Sequence, residues 1–334
     1  MNVDVISRLK NAGLLSEQVQ SYGFVSTGSY ALNKVISGDY FGGIPIGYIT
    51  QFFGEASTAK TVFATHILKD AQSKGYYSML IDSENAYNSD FARKLGLDPE
   101  KLIYAAPDTL EECFQVIEDT IKTIRETDPD TPIVVAYDSI AVSPAKAEFE
   151  DSSYEGNNME GAIRAKTAGK CLRKINPLIR KYKVGLVVIN QTRSKVGVMY
   201  GDPTTTAGGG KALEFYLGVN LKTVSNKTSD LIKDSNKNVI GIQGKVRNTK
   251  NKVALPFREC EFELRYDTGL NPYYGILPAL KEDGVITQGG AWYTVVENEF
   301  KFQSKDFETL LQDPEIEQME PLRKLLGISL ENVG

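Results

Sequence analysis

The chain has 334 residues, 41% of them hydrophobic, and a formal net charge of −5, which is enough for one large α/β domain with a substantial core plus a smaller appendage. One histidine, His66, and three scattered cysteines, Cys113, Cys171 and Cys260, argue against a multi-histidine metal site, a disulfide framework and a paired-cysteine zinc site. The first residues mix Asp4, Arg8 and Lys10 with apolar ones and match neither a secretory signal nor a membrane span, so a cytoplasmic protein is expected.

In chain order, residues 2–20 read as a short amphipathic helix ending at the break Ser21-Tyr22-Gly23. A strand from Ile46 to Phe53, a tight loop from Gly54 to Lys60, a helix from Thr61 to Ser73 and a strand from Tyr76 to Asp82 form a βαβ unit with a parallel crossover. The alternation continues with a helix from Leu110 to about Glu126, an apolar strand Ile133 to Tyr137, a basic helix near Ala162 to Tyr182 and a strand Val184 to Asn190. Such continuous apolar runs predict strands buried on both faces. The stretch Thr192 to Gly210 is rich in Thr, Gly, Ser, Asp and Pro and reads as a long mobile loop at the carboxyl end of a strand. Beyond Leu217, strands such as Val239 to Val246 and Arg258 to Tyr266 predict an antiparallel extension of the same sheet, and a smaller mixed domain is expected from Gly269.

The chemistry gathers at strand ends. Gly54-Glu55-Ala56-Ser57-Thr58-Ala59-Lys60-Thr61, followed by Val62, has the spacing of a phosphate-binding loop except that Ala59 stands where that loop has its second glycine. Backbone N–H groups there would face phosphates, Lys60 would reach the β and γ phosphates, and the Thr61 hydroxyl would bind Mg²⁺. Asp138 ends an apolar strand and is positioned to hold Mg²⁺ through water. Glu84, at the end of Met79-Leu80-Ile81-Asp82-Ser83-Glu84, is the candidate general base toward an attacking water. Gln191 ends the third strand and directly precedes the glycine-containing loop, where a phosphate contact would be felt.

Net charge alone speaks against a nucleic-acid partner, but its distribution does not. From Ala162 to Gly201 there is no Asp or Glu, while Arg164, Lys166, Lys170, Arg173, Lys174, Arg180, Lys181, Lys183, Arg193 and Lys195 are all cationic. That is a local electrostatic footprint for phosphates.

Taken in order, these motifs resemble the RecA-type DNA strand-exchange recombinases, in both the bacterial branch and the phage UvsX branch, over roughly residues 22 to 295. The resemblance rests on Ser26-Thr27-Gly28-Ser29, Ile81-Asp82-Ser83-Glu84, Ala92-Arg93-Lys94-Leu95-Gly96, Ile189-Asn190-Gln191 and Gly197-Val198-Met199-Tyr200-Gly201, while Arg164-Ala165-Lys166-Thr167 and Asp98-Pro99-Glu100 lean towards the phage branch. It implies a RecA-like ATPase core with a mostly parallel twisted sheet: a polymerisation arm over residues 1–22, an ATPase and DNA-binding core over 23–268, and a small C-terminal α+β domain over 269–334. It further implies that Phe91 stacks on adenine near Asn88, and that Lys250 and Lys252 reach the neighbouring subunit's ATP and act with Lys60, Glu84 and Gln191 in catalysis. Phe215 is implied to be an interface residue. Loops at about Glu150 to Gly161 and Arg193 to Gly210 are implied to bind DNA, with Arg164, Lys166, Arg173, Arg193, Lys195, Val198, Met199, Tyr200, Gly208, Gly209 and Gly210 as contacts.

The implied function is an ATP- and Mg²⁺-dependent protein that forms helical filaments on single-stranded DNA and pairs it with double-stranded DNA. Its implied partners are further copies of itself together with single-strand-binding and loader proteins. Two other readings share the nucleotide site: a ring-shaped helicase or packaging motor of the same fold, and a nucleotide-gated DNA-coating filament with little hydrolysis, which Ala59 keeps in view.

Overall fold

The computed structural model describes residues 7–8, 21–151, 160–194, 204–206, 208–225 and 229–328. Most of the N-terminal arm lies outside the described residues, as do Lys195, Val198, Met199 and Tyr200; residues 7–8 are helical.

A short antiparallel pair, β1 (Phe24–Val25) and β2 (Ile44–Pro45), flanks helix α1 (Tyr30–Ser37), whose N-terminus is capped by the Ser29 side chain. Strand β3 (Ile49–Gly54) then leads through the glycine loop into α2 (Lys60–Ser73) and returns as β4 (Tyr77–Asp82). Next come α3 (Ser89–Lys94), β5 (Leu102–Ala105), α4 (Leu110–Thr127) and β6 (Ile133–Asp138). Thr109 and Glu112 form a reciprocal capping box that starts α4 where its apolar stripe begins. After the short α5 (Lys146–Phe149), the basic helix α6 (Glu160–Lys181) delivers the chain to β7 (Val184–Ser194). Then follow β8 (Thr204–Thr206), α7 (Gly210–Tyr216), β9 (Val219–Val224), β10 (Leu231–Lys233), β11 (Val239–Asn251), β12 (Glu259–Arg265) and β13 (Gly269–Leu270).

Strands β3 to β13 join one sheet. Its parallel part runs β5-β4-β6-β7-β3-β9, and β11, β12 and β13 extend it antiparallel. The apolar runs are explained by burial on both sides. In β6, Ile133, Val135 and Tyr137 join one core with α4 and α6, while Val134 and Ala136 face the other core with α2. Helix α6 turns Ala168, Leu172, Ile175 and Ile179 inward, a spacing of four, three and four that makes one helical stripe. Its lysines and arginines consequently fall on the outer face.

Two boundaries differ from expectation in ways that matter. β7 continues past Asn190 to Ser194 and pairs antiparallel with β8, with Thr192 opposite Thr206 and Ser194 opposite Thr204. The stretch read as a loop therefore leaves the sheet as two paired arms, because its threonines are β-branched and suit extended backbone. At the far end, Gly269 and Leu270 still pair with β12. Beyond them lie α8 (Leu277–Glu282), the three-stranded antiparallel sheet β14 (Ile286–Gly289), β15 (Trp292–Val295) and β16 (Lys301–Gln303), then α9 (Phe307–Gln312) and α10 (Glu320–Leu325). Ile276, Leu280, Ile286, Val295 and Phe302 are buried in the same cluster as Phe52 and Phe63 of the main core. Among the described residues no helix is long and apolar enough to cross a membrane.

Candidate functional site

The loop between β3 and α2 turns sharply because Ser57 and Ala59 both take positive φ, 62° and 65°. Ala59 is the N-cap of α2, in the left-handed conformation and with no side chain capping the helix. Glycine adopts that conformation without penalty, whereas an alanine methyl costs about 1–2 kcal/mol. Ala59 thus keeps the loop shape at some local strain. The first-turn N–H groups of α2 have no carbonyl four residues back inside the helix. No cap side chain bonds to them, and an anion seated at this end of the helix would meet them.

Close packing holds the loop in this shape. Thr58 Oγ1 lies 2.7 Å from Thr223 Oγ1 of β9, and a Cβ on Gly54 would come within 2.2 Å of that same threonine oxygen. Lys60 is buried, with Nζ donating to the carbonyls of Gly54 at 3.2 Å and Glu55 at 2.5 Å. Its charge is therefore held inside the loop where phosphate oxygens would sit.

The strand-end carboxylates converge as the sequence predicts. β4 and β6 are in register so that Asp82 is opposite Asp138, and β3 and β7 place Gly54 opposite Gln191. Thr61 Oγ1 donates to Asp138 Oδ2 at 2.6 Å. Burial pushes the Asp138 carboxyl up to about 6, and the Glu84 and Asp82 charges add to this against the Thr61 hydrogen bond and the Lys60 ammonium. Glu84 Oε1 accepts from Ser139 Oγ at 2.6 Å and from Gln191 Nε2 at 3.3 Å. A base candidate is thus oriented by residues at the ends of β6 and β7, both on one side of β4. The Thr61 hydroxyl and the Asp138 carboxylate form an all-oxygen donor pair, which suits a hard cation such as Mg²⁺ that keeps most of its waters.

These groups open on a cleft of about 450 Å³ lined by residues 56–62, Glu84, Asp138, Gln191 and, from the antiparallel extension, Ile242, Leu264 and Tyr266. The last three, with Ser139 and Thr223, are site residues that the sequence reading missed. Ser139 adjoins Asp138 and could have been suspected, but Tyr266 arrives through strand pairing that leaves no local signal. Asn88 and Phe91 do not line this cleft. The Asn88 side chain accepts from Phe91 N at 2.9 Å and caps α3.

The remaining assigned residues fall in three places. Lys250 Nζ donates to the carbonyls of Glu214 at 2.5 Å and Phe215 at 3.4 Å, a cation at the C-terminus of α7. Partial burial and the Lys252 charge lower its pKa. The Phe215 ring stands 76% exposed beside it, so Phe215, Lys250 and the exposed Lys252 form one outward patch away from the cleft just described. On α6, Lys166 and Arg173 are exposed, whereas Arg164 is engaged by Glu148 of α5. Arg193 lies on the outgoing arm of β7. Gly208 exchanges hydrogen bonds with the buried Asn190 side chain at 2.9 and 3.0 Å, and a Cβ there would come within 2.5 Å of the Ile140 carbonyl oxygen. Gly208 and Gly209 are buried, and Gly209 starts α7 with φ 76°. Their local role is therefore to anchor the returning arm against the core.

Comparison with known proteins gives one consistent result. A family model described as the RecA N-terminal domain matches residues 8–271. The chain is 36% identical over 293 residues to Protein RecA of Thermus aquaticus, covering 87% of this chain and 82% of that protein. It is 35% identical over 278 residues to Protein RecA of Bacteroides thetaiotaomicron, covering 83% and 79%. The match to Protein RecA of Syntrophus aciditrophicus is 34% over 278 residues, covering 83% and 76%.

Proposed function

The chain belongs to the RecA family, and from that premise we propose that it is an ATP-dependent DNA strand-exchange recombinase that hydrolyses ATP between adjacent subunits of a filament. The observation that carries this reading is the hydrogen-bonded run from Thr61 to Asp138 and from Ser139 through Glu84 to Gln191. It joins the phosphate loop, the base candidate and the root of the basic arms in one connected unit.

In this reading the N–H groups at the start of α2, with Lys60, hold the triphosphate, while Thr61 and Asp138 hold Mg²⁺, Asp138 through water. Bound Mg²⁺ supplies charge neutralisation on the phosphate oxygens. Glu84 accepts a proton from the attacking water, and Ser139 and Gln191 fix its orientation. Gln191 lies one residue before the paired arms of β7 and β8, so a change at the γ-phosphate is passed to the DNA-binding segment through Glu84 and the strand itself. Lys250, Lys252 and Phe215 then act across the junction with the next subunit. Single-stranded DNA binds along the arms and the outer face of α6, and double-stranded DNA is the pairing partner. Asn88 and Phe91 are the adenine contacts that the family resemblance offers, although they stand outside the cleft itself, and single-strand-binding and loader proteins are the accessory partners of this proposal.

The deciding experiment measures DNA-stimulated ATP hydrolysis beside D-loop formation in the unmodified protein and in Glu84→Gln. The unmodified protein should do both, while Glu84→Gln should bind ATP, hydrolyse slowly and leave filaments that persist. Unmodified turnover in Glu84→Gln would remove the assigned base, and closed rings under the electron microscope would favour a motor of the same fold.

A further inference from the structure

A second cleft, of about 590 Å³, lies on the other side of α2 and shares no lining residue with the phosphate-loop cleft. Its walls come from the α1 region, α2, α3 and the β12–β13 turn, and include Gly28, Phe41, His66, Lys69, Lys94 and Leu270. That volume is in the range of small-molecule sites.

The feature that marks it as built is the chain's single histidine. His66 is 8% exposed. Its imidazole is seated between two glycines of positive φ: a Cβ on Gly28 would come within 2.8 Å of Nδ1, and one on Gly269 within 2.9 Å of Nε2. Nε2 accepts from the Leu270 N–H at 3.3 Å, so the neutral ring carries its proton on Nδ1. Among the described residues that N–H donates to nothing, although the ring lines the cleft.

The charges around it leave a positive excess. Asp70 is spent on Lys74 at 2.8 Å and on the Ser26 N–H at 2.7 Å. Lys69 sits one helical turn from His66, close enough that its charge, after burial, helps to lower the imidazole pKa to about 4. Its side chain crosses the turn after Lys94, since a Cβ on Gly96 would come within 2.9 Å of Lys69 Cε. Neither Lys69 nor Lys94 has a carboxylate partner among the described residues. On the facing wall the Phe41 ring is 51% exposed and stands edge-on to Tyr30, with ring centres 6.0 Å apart, and Tyr30 is itself stacked on Tyr273. Two ammoniums without a carboxylate partner, an imidazole N–H that lines the cleft and a half-exposed aromatic ring describe a receptor for a phosphate attached to a planar group.

We propose that this cleft is a second ligand site that takes an organic phosphate monoester, its phosphate between Lys69 and Lys94 with His66 Nδ1–H donating to it, and its planar body against Phe41. The site does not depend on the role given to the phosphate-loop cleft. A ligand there would tie α2 to the β12–β13 turn that leads into the C-terminal part.

The lone histidine supplies a selective readout. Protein labelled with ¹³C-histidine is saturated with Mg·ADP to fill the phosphate-loop cleft, and the His66 signal is titrated from pH 3.5 to 8, as roughly brackets an imidazole shifted by burial, without ligand and with AMP or inorganic phosphate. A bound phosphate, a monoanion below about pH 6 and a dianion above it, favours the imidazolium in either form, so AMP should raise the His66 pKa by about one unit or more. The remaining groups lining the cleft, Asp70, Lys74, Tyr30 and Tyr40, are unchanged between these titrations. In a Lys69→Ala/Lys94→Ala double variant the ligand-free pKa should rise, because the Lys69 repulsion is gone, while the AMP-induced shift should be lost. Both residues are exposed helix positions, so folding is retained. A His66 signal unmoved by AMP, or an equal AMP shift in the double variant, would overturn the site. Equal shifts from inorganic phosphate and AMP at equal concentration would overturn the aromatic half of it.

Discussion

Asp138 gives the sharpest test of the nucleotide site, because its carboxyl titrates within reach of ordinary buffers. Burial, reinforced by Glu84 and Asp82, places its pKa at about 6, and only the anion serves a Mg²⁺ ion. A carboxyl titrating near 6 is about half protonated at pH 6 and about nine-tenths protonated at pH 5, so Mg²⁺ affinity tied to its anion falls about tenfold between pH 8 and pH 5. An aspartate with an ordinary pKa would lose less than about a tenth over the same range. ATP's own phosphates also titrate, so the quantity to read is the ratio of Mg²⁺ affinities, unmodified protein over Asp138→Asn, measured with a fluorescent ATP analogue at each pH. That ratio should shrink about tenfold from pH 8 to pH 5, following the titration of the one carboxyl. A flat ratio would refute the assignment of Asp138 to the metal. The stability of the ligand-free protein moves in the opposite sense. Because the folded pKa lies above the unfolded one, the contribution of Asp138 is fully present below about pH 4 and is lost as pH rises through about 6. Asp138→Asn should therefore raise the melting temperature at pH 8 and change it little at pH 4.

Three further outcomes follow from other parts of the molecule. Lys252→Ala should weaken ATP-dependent filament assembly, read by light scattering, without lowering the melting temperature; Lys250→Ala should do the same and also loosen the end of α7, whose carbonyls it caps. Normal assembly in either variant would end the across-junction role of that lysine. Arg193 and Lys195 neutralised together should flatten the salt dependence of single-strand binding by up to about 1.4 in log K against log salt, and an unchanged slope would take this arm out of the DNA site. Arg323 is 2% exposed and donates to the carbonyls of Leu310, Leu311 and Asp313 at the end of α9. Arg323→Ala should cost about 2–4 kcal/mol in denaturant unfolding, since it strands buried carbonyls that a charged donor had satisfied, and a loss under about 0.5 kcal/mol would refute that role.

How much was legible in the sequence depends on how local each feature is. Apolar runs bounded by turn residues foretold β3, β4, β6 and β7 to within a few residues, because a parallel strand buried on both faces leaves no room for polar alternation. The loop Gly54–Thr61, Glu84, Asp138 and Gln191 were singled out for the same reason: in such a sheet ligands bind where strands end, and an apolar run that stops at a polar residue marks that edge. The continuation of β7 through Ser194 was not foreseen, because polar threonines in an arm leaving the sheet look like loop until their partner strand is placed opposite.

The sequence alone determined the α/β class, the sheet edge where the candidate site residues gather and the basic, acid-free segment, all of which follow from residues adjacent in the chain or one helix apart. Only the tertiary structure decided which groups touch. Antiparallel pairing of β11 and β12 carried Ile242, Leu264 and Tyr266 to the cleft beside the phosphate loop, and the register of β9 beside β3 set Thr223 against Thr58. The fold of Lys250 back onto α7 joined two residues 35 apart in sequence. The imidazole of His66, unremarkable as a lone histidine on a helix, acquired a fixed tautomer and an unspent N–H because Leu270, 204 residues away, donates to its other nitrogen. Contacts of that kind are set by strand register and helix packing, which depend on the whole core at once and leave no trace in any short window of residues.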